Sequence, residues 1–303
     1  MTPEFLVAGH VVQDLLPSSA HPEALEGWRI GGAAAYAGLL ARNLGLRTAV
    51  LTACADDFPL ADLLPGIDVH RVPSERTTQF RNVYHPDGRR EQWVPQRAAP
   101  LTAADLPEDW RDASIVLLGP VAGEIDASLP AAFYRGTLVG AGAQGWLRRI
   151  GPDGRVRPVA PADWDAAPLL ERVRALFLSD EDVPPDLAPD ALAEWASLVD
   201  VLAFTRGYGG ADLHFDSEPD GPAWHHTNAI AATPVDFTGA GDTYATAFLI
   251  RLAETNNPWA AAVFAAAAAS LVIEGVGVEG VPASREAIDA RTEGRRVPRP
   301  AKE

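Results

Sequence analysis

The run Val235-Asp236-Phe237-Thr238-Gly239-Ala240-Gly241-Asp242-Thr243 sets small residues over a turn, an acid directly after them and an apolar helical pattern beyond. The first amides of a helix have no intrahelical acceptor. With no bulky side chain at Gly239, Ala240 or Gly241, a ligand can come close to them. Such a helix start attracts anions through its unpaired donors and its macrodipole. An acid beside an anion site works against simple binding but suits phosphoryl transfer. Asp242 could take the proton of an attacking hydroxyl while the amides hold charge on the moving group. The competing reading is structural: Asp242 complements the helix dipole, worth about 0.3–1 kcal/mol, and the glycines only shape a turn.

Elements must carry these residues to one place. Residues 4–9 read as a short buried strand ending at glycine, the form of a first strand in a parallel sheet. Gly31-Gly32 opens a small-residue helix running to Asn43, followed by a buried strand at 47–52 and a short helix at 56–64. Over 67–95 the pattern changes. Alternation at 69–72 and 78–84, a Pro86-Asp87-Gly88 turn and residues 90–94 read as antiparallel strands, an inserted sheet of the kind that commonly forms a lid. After Pro100, strands are expected at 114–118, 138–140, 175–178 and 199–204, with helices at 127–134, 166–173 and 188–197. A turn into another strand spans 207–215, and helices follow at 240–254 and 258–273. Residues 291–303, charged and Pro-rich, read as a mobile tail. There is no internal repeat.

Composition narrows the function. The 303 residues, 47% hydrophobic and 22% charged, are ordinary for a soluble globular α/β protein. A formal charge of −16 argues against nucleic acid or an anionic membrane as partner. Lys302 is the sole lysine among 25 basic residues. That excludes a Gly-Lys-Ser/Thr phosphate loop and a catalytic lysine, so nucleotide phosphates would have to meet backbone amides and arginines. The single cysteine, Cys54, rules out an intrachain disulfide and reads as packing. No N-terminal run has the make-up of a signal peptide and no stretch approaches a membrane span, so a cytoplasmic protein is expected.

Gly31-Gly32 opening a helix after the first strand, a lid-like sheet, and Asp-x-Thr-Gly-Ala-Gly-Asp opening a late helix resemble, in that order, the ribokinase-like (PfkB) family of carbohydrate and nucleoside kinases. The resemblance covers nearly the whole chain. It implies one domain over 1–303, a three-layer α/β/α sandwich with a mostly parallel central sheet and a small antiparallel β-sheet lid from about 11–30 and 67–98. It implies ATP and Mg2+ as donor and cofactor and a polyol substrate, with homodimers frequent among relatives. Asp242 would be the general base, and the amides of Gly239, Ala240 and Gly241, after Thr238, the anion hole. Asp14, Gly31 and Gly32 would hold substrate, and Thr205, Gly207, Gly210 and Thr238 would border the nucleotide. Asp236 matches a monovalent-cation site, with K+ the expected ion.

Two departures stand out. Where the family often carries Asn-x-x-Glu near magnesium, the chain has Ser179-Asp180-Glu181-Asp182, so Ser179 and Asp182 are assigned to the nucleotide and Asp182 to Mg2+. Tyr36 replaces a polar pocket residue and either stacks on a ring or packs. Gly31 to Tyr36, Thr77-Thr78-Gln79-Phe80, Val121-Ala122-Gly123-Glu124-Ile125 and Gln144-Gly145-Trp146-Leu147-Arg148 look like the myo-inositol kinase branch. Gln144 and Arg148 then follow a strand end, where a parallel sheet places ligand loops. Three readings stay open: a sugar or cyclitol kinase, a nucleoside kinase of the same fold, and a non-catalytic metabolite sensor. No Gly-x-Gly-x-x-Gly follows the first strand, which disfavours a nicotinamide oxidoreductase. Among the remaining polar residues, His10 reads as a solvated loop histidine, and His225-His226 point to opposite sides of an extended segment. Arg81, Arg90 and Trp93 are candidates to close over the site.

Overall fold

The computed structural model describes residues 1–17, 25–84, 90–217 and 219–294. Its first strand, β1 (Phe5–Ala8), is buried at every position, as an apolar run without alternation requires. β2 (Val12–Pro17) and β3 (Leu25–Gly31) follow, then α1 (Ala33–Asn43), whose alanines and Gly38 allow close approach to the sheet. β4 (Thr48–Cys54), the four-residue α2 (Leu60–Leu63) and β5 (Asp68–Pro73) complete the first third with β6 (Thr78–Tyr84) and β7 (Arg90–Gln96). Next come β8 (Ile115–Leu118), β9 (Leu138–Gly142) and a short ribbon of β10 (Arg148–Ile150) and β11 (Val156–Pro158). α3 (Ala167–Leu170), β12 (Ala175–Ser179), α4 (Ala188–Ala196) and β13 (Val201–Thr205) restore the alternation. β14 (Ala211–Asp216), β15 (Pro222–Thr227), α5 (Ala240–Thr255), α6 (Pro258–Val272) and α7 (Arg285–Thr292) finish the described chain.

Nine strands form the central sheet in the order β15-β14-β13-β12-β9-β8-β1-β4-β5. All pairings from β13 to β5 are parallel, and β14 and β15 add an antiparallel edge. One face packs against α1, α5, α6 and α7, and the other against α3, α4 and short turns, giving three layers. The chain runs outward from β1 to β4 and β5, then returns to its other side at β8. That reversal opens a crevice beyond the carboxyl ends of β1 and β8, where open α/β sheets bind ligands.

A second sheet has the order β3-β2-β6-β7, with antiparallel outer pairs and a parallel β2–β6 pair at its centre. Trp28 of β3 stacks on Phe58 of the main body at 5.3 Å between ring centroids. The ribbon β10–β11 docks on β7, with Val94 donating to the Gly154 carbonyl at 2.8 Å.

Several sequence expectations change. The alternating segment 69–72 lies in β5, at the edge of the central sheet, because its register follows β4. The helix expected at 127–134 is one 3-10 turn, Pro130–Ala132, since Pro130 and Gly136 (φ 107°) stop propagation. The helix expected at 166–173 is the single turn α3. The Pro86-Asp87-Gly88 turn, most of the tail and Lys302 lie outside the described residues. No described helix is long and apolar enough to cross a membrane.

Candidate active site

Every site loop leaves the central sheet at its carboxyl edge. β1 leads to His10 and, through β2, to Asp14. β8 leads to Gly119–Val121, β9 to Gln144 and Arg148, β12 to Ser179–Asp182, and β13 to Thr205–Gly207. Above them lies the start of α5. All of these except His10 and Arg206 line a cavity of about 310 Å3 that also takes in Gly32, Tyr36, Thr238, Gly239, Ala240, Gly241 and Asp242. It opens, through Asp14, Arg148, Asp182 and Thr238, into a wider cleft of about 1010 Å3 reaching the small sheet, Arg29 and Asp236.

The helix start is shaped by its neighbours. Gly239 caps α5 in the left-handed region (φ 79°, ψ 3°), and a Cβ there would collide with the Tyr36 ring. Gly241 differs: a Cβ on it would meet no atom within 4 Å. No packing inside the protein demands its smallness, and the space it leaves belongs to the cavity. Among the described residues, the amides of Gly239, Gly241 and Asp242 find no acceptor. Ala240 departs from the expectation, since its N–H turns back to the Phe237 carbonyl at 3.3 Å. Thr246 anchors the first turn by donating its hydroxyl to the Asp242 carbonyl at 2.7 Å.

Carboxylates dominate the walls. Burial pushes Asp242 up to about 6; Arg148 opposes that shift and Asp182 adds to it. Asp182 is 8% exposed, and its Oδ2 accepts from the Ser179 amide at 2.8 Å and the Ser179 hydroxyl at 2.9 Å. Its Oδ1 has no partner among the described residues, and with Glu181 alongside it offers the hard oxygens that suit a divalent cation. Burial, then the charge of Glu181, also raises Asp180. Thr205 donates to the Leu178 carbonyl at 3.4 Å, joining the ends of β12 and β13.

The opposite wall faces the small sheet. Asp14 is pushed up to about 6 by burial; Arg29 holds it down while Asp236 and Asp242 raise it. Gly31 does not line the cavity. It backs Asp14 instead, and any side chain there would strike that carboxylate. Gly210 likewise lies outside, packed against Thr227 and Ala229. Tyr36 is fully buried; burial raises its hydroxyl and its Oη has no partner, so it packs under the cradle more than it faces ligand.

Some residues in the cleft carried no signal in the sequence. Asn82 of β6 and Gln92 of β7 face it, with Gln92 donating to Asn82 at 2.7 Å. The alternation over 78–84 could have placed Asn82 on the face of Thr78 and Phe80, but not said which face. His10, expected in solvent, is completely buried. Its ring meets the Thr78 hydroxyl at 2.8 Å and the Ala99 carbonyl at 2.9 Å, and burial lowers its pKa. The buried carboxylate of Glu124 accepts from the amides of His10, Val121 and Ala122, fixing the loop beneath the crevice. Trp93 does not line either cavity, because Arg155 of the ribbon lies over its ring at 5.9 Å. The Arg90 side chain is outside the description.

Residues 175–284 match the model of the pfkB family carbohydrate kinases. No curated protein matches the sequence. Among solved structures, a pyrophosphate-dependent kinase in the ribokinase family, complexed with a pyrophosphate analog and myo-inositol, is 22% identical with a TM-score of 0.74, over 94% of this chain and 99% of that one. The ribokinase of Arabidopsis thaliana, complexed with ribose and ATP, is 22% identical with a TM-score of 0.72, covering 97% and 99%. The nucleoside kinase of Methanocaldococcus jannaschii is 19% identical with a TM-score of 0.70, covering 96% and 99%. The fold is therefore the ribokinase-like α/β fold, with its loops gathered over the carboxyl edge of the sheet. Within that fold, the match to the pfkB family carbohydrate kinases lies in residues 175–284, the stretch that holds β12 to α6 and the start of α5.

Proposed function

We propose that the protein transfers the γ-phosphoryl group of ATP to a hydroxyl of a sugar or cyclitol, a myo-inositol-like polyol being the best-fitting acceptor. The observation that carries this reading is the start of α5. Unpaired amides of Gly241 and Asp242 surround a space that a single Cβ on Gly241 would enter, and the Asp242 carboxyl borders the same cavity.

In this mechanism the acceptor lies against Asp14, Asn82, Gln92, Gln144 and Arg148, a polar lining matched to a ring of hydroxyls. Asp242 takes the proton from the attacking hydroxyl, a contribution on the order of 10²–10⁴ in rate. A carboxyl near 6 is both largely ionised at neutral pH and basic enough to accept a proton. The amides and Arg148 hold charge on the transferring group, where positioning and electrostatics do most of the catalysis. A divalent cation held through Asp182 Oδ1 would supply further neutralisation, which a cleft this rich in carboxylates requires before a polyphosphate can enter. Closure of the small sheet would keep water from competing as acceptor.

The donor is the less constrained half, because the neighbours include both ATP and pyrophosphate users. An exposed aromatic pair at the rim favours a nucleoside donor. Tyr208 (73% exposed) meets Phe237 (57% exposed) edge to face at 5.8 Å, beside Thr238. The test is a panel of sugars, inositols and nucleosides with MgATP or magnesium pyrophosphate, reading acceptor-dependent release of ADP or orthophosphate. ADP release with a polyol supports the proposal. Turnover only with nucleosides, or only with pyrophosphate, replaces its acceptor or its donor. A ligand that raises the melting temperature without turnover under either donor makes the protein a sensor.

A further inference from the structure

Asp236 precedes the cradle by three residues and ties two loops together. Its Oδ1 accepts from the Thr238 amide at 2.9 Å and the Thr238 hydroxyl at 2.6 Å, and its Oδ2 from the Gly277 amide at 3.1 Å. Arg29 Nη2 lies 3.4 Å from the same Oδ2. A carboxylate offers about four lone-pair sites. Three protein donors take three of them and the ion-paired guanidinium stands against the remaining one, so this side chain does not fit the monovalent-cation ligand that the family resemblance implies. Burial alone would raise Asp236, but Thr238, Gly277 and Arg29 outweigh it and hold the carboxyl below its ordinary value. The charge partner of the cradle loop comes from within the chain.

Arg29 is placed for that task by the small sheet. It is the ladder partner of Asp14 on β2, and its Cδ passes 3.4 Å from where a Cβ on Gly277 would sit. A side chain at Gly277 would press on that stem, and Gly277 itself stands at φ 55°. The guanidinium thus lies between the acid of the acceptor side and the acid under the cradle. Nearby, the Tyr36 hydroxyl is buried without a partner, so it offers Asp236 no competing donor. A guanidinium is weakly hydrated and always charged, which suits a half-buried post better than an exchangeable ion.

We infer that Arg29 is the built-in cation of this site: it carries from the small sheet the positive charge that sets the Asp236 loop, and the protein is indifferent to potassium. Arg29 acts here as a positioning residue, through Asp236 and Thr238, and does not touch the reacting atoms.

The test is thermal melting of the whole protein in KCl, NaCl and tetramethylammonium chloride at equal ionic strength. Wild type is expected to melt at the same temperature in all three. Arg29→Ala is expected to melt lower in tetramethylammonium and to recover about 2–4 °C selectively in KCl or NaCl, as an inorganic ion enters beside Asp236. Arg29→Lys, which keeps the charge, is expected to restore indifference, whereas a role through stem packing alone predicts no cation preference in Arg29→Ala. Selective stabilisation of wild type by KCl overturns the inference, and that arm needs no variant. So does an Arg29→Ala protein that folds yet shows no cation preference. Melting does not depend on turnover, so an indifferent protein inactive with every polyol would leave this inference standing while the kinase reading falls.

Discussion

The two ends of the cleft are built in different ways. The cradle end comes from a contiguous turn, Asp236 to Asp242, whose conformation follows from its own residues and one tyrosine beneath it. The acceptor end is assembled from β2, β3, β6, β7 and the loops after β8 and β9, so no short stretch contains it. Chemistry written into one turn can be read before the fold is known. Recognition spread over a sheet edge and a second sheet has to wait for the register.

Filling the cradle should have the larger effect. Gly241→Val places a side chain in the open space above the helix start, and kcat/KM for the donor is expected to drop by about 10²–10³. The melting temperature should change little, since no protein atom occupies that space. Unimpaired donor turnover in steady-state assays would show that the phosphate lies elsewhere.

At the acceptor end the expected effect is smaller and of another kind. Asp14→Asn should raise the acceptor KM by about 10–100-fold, the loss of charged hydrogen bonds to a bound polyol, with kcat less changed. If kcat falls and KM stays, Asp14 belongs to the chemistry and the two ends are not separable.

Acidity links the two ends. Both Asp14 and Asp242 are held near 6, mainly by burial, and the proposed mechanism requires both to be ionised. Activity is therefore expected to fall as pH drops through about 6. The slope in log kcat/KM should approach two in wild type and one in Asp14→Asn, as each carboxylate contributes about tenfold per pH unit. A profile flat to pH 5 would remove both groups from the reaction.

The smallest effect concerns stability. A carboxyl raised from 3.8 to about 6 binds its proton more tightly folded than unfolded, so its charge destabilises the fold above pH 6 and that cost disappears below 3.8. Asp242→Asn should melt higher than wild type at pH 8 by about 2–4 °C, with the gain fading toward pH 4. A lower melting temperature at pH 8 would mean the charge is compensated in the folded state.

Much of the frame was legible because burial leaves simple marks. β1, β4, β8, β12 and β13 show as apolar runs, and α5 and α6 as long patterns opened by Gly239 and Pro258. The cradle, Asp14, Gly32, Gln144, Arg148 and the Ser179–Asp182 turn all reach one cavity. What stayed hidden depends on partners far along the chain. Arg29 acquires meaning only when β3 pairs with β2 and Gly277 comes under it. His10 looks like any loop histidine until Thr78, Ala99 and Glu124 close around it. Gly31 and Gly210 were read as lining because they neighbour residues that do line, whereas each is small to clear a contact behind the wall. The ribbon β10–β11 is too short for any periodicity to show.

In the proposed reaction one carboxyl at the start of α5 strips the acceptor hydroxyl of its proton beside amides that hold the phosphoryl group. Single-turnover kinetics of Asp242→Asn, with donor and acceptor binding measured calorimetrically on the same protein, separate that proton transfer from ligand binding. Binding of both ligands near wild-type affinity with phosphoryl transfer slowed by about 10²–10⁴ is the predicted result. Transfer at the wild-type rate in that variant would contradict it.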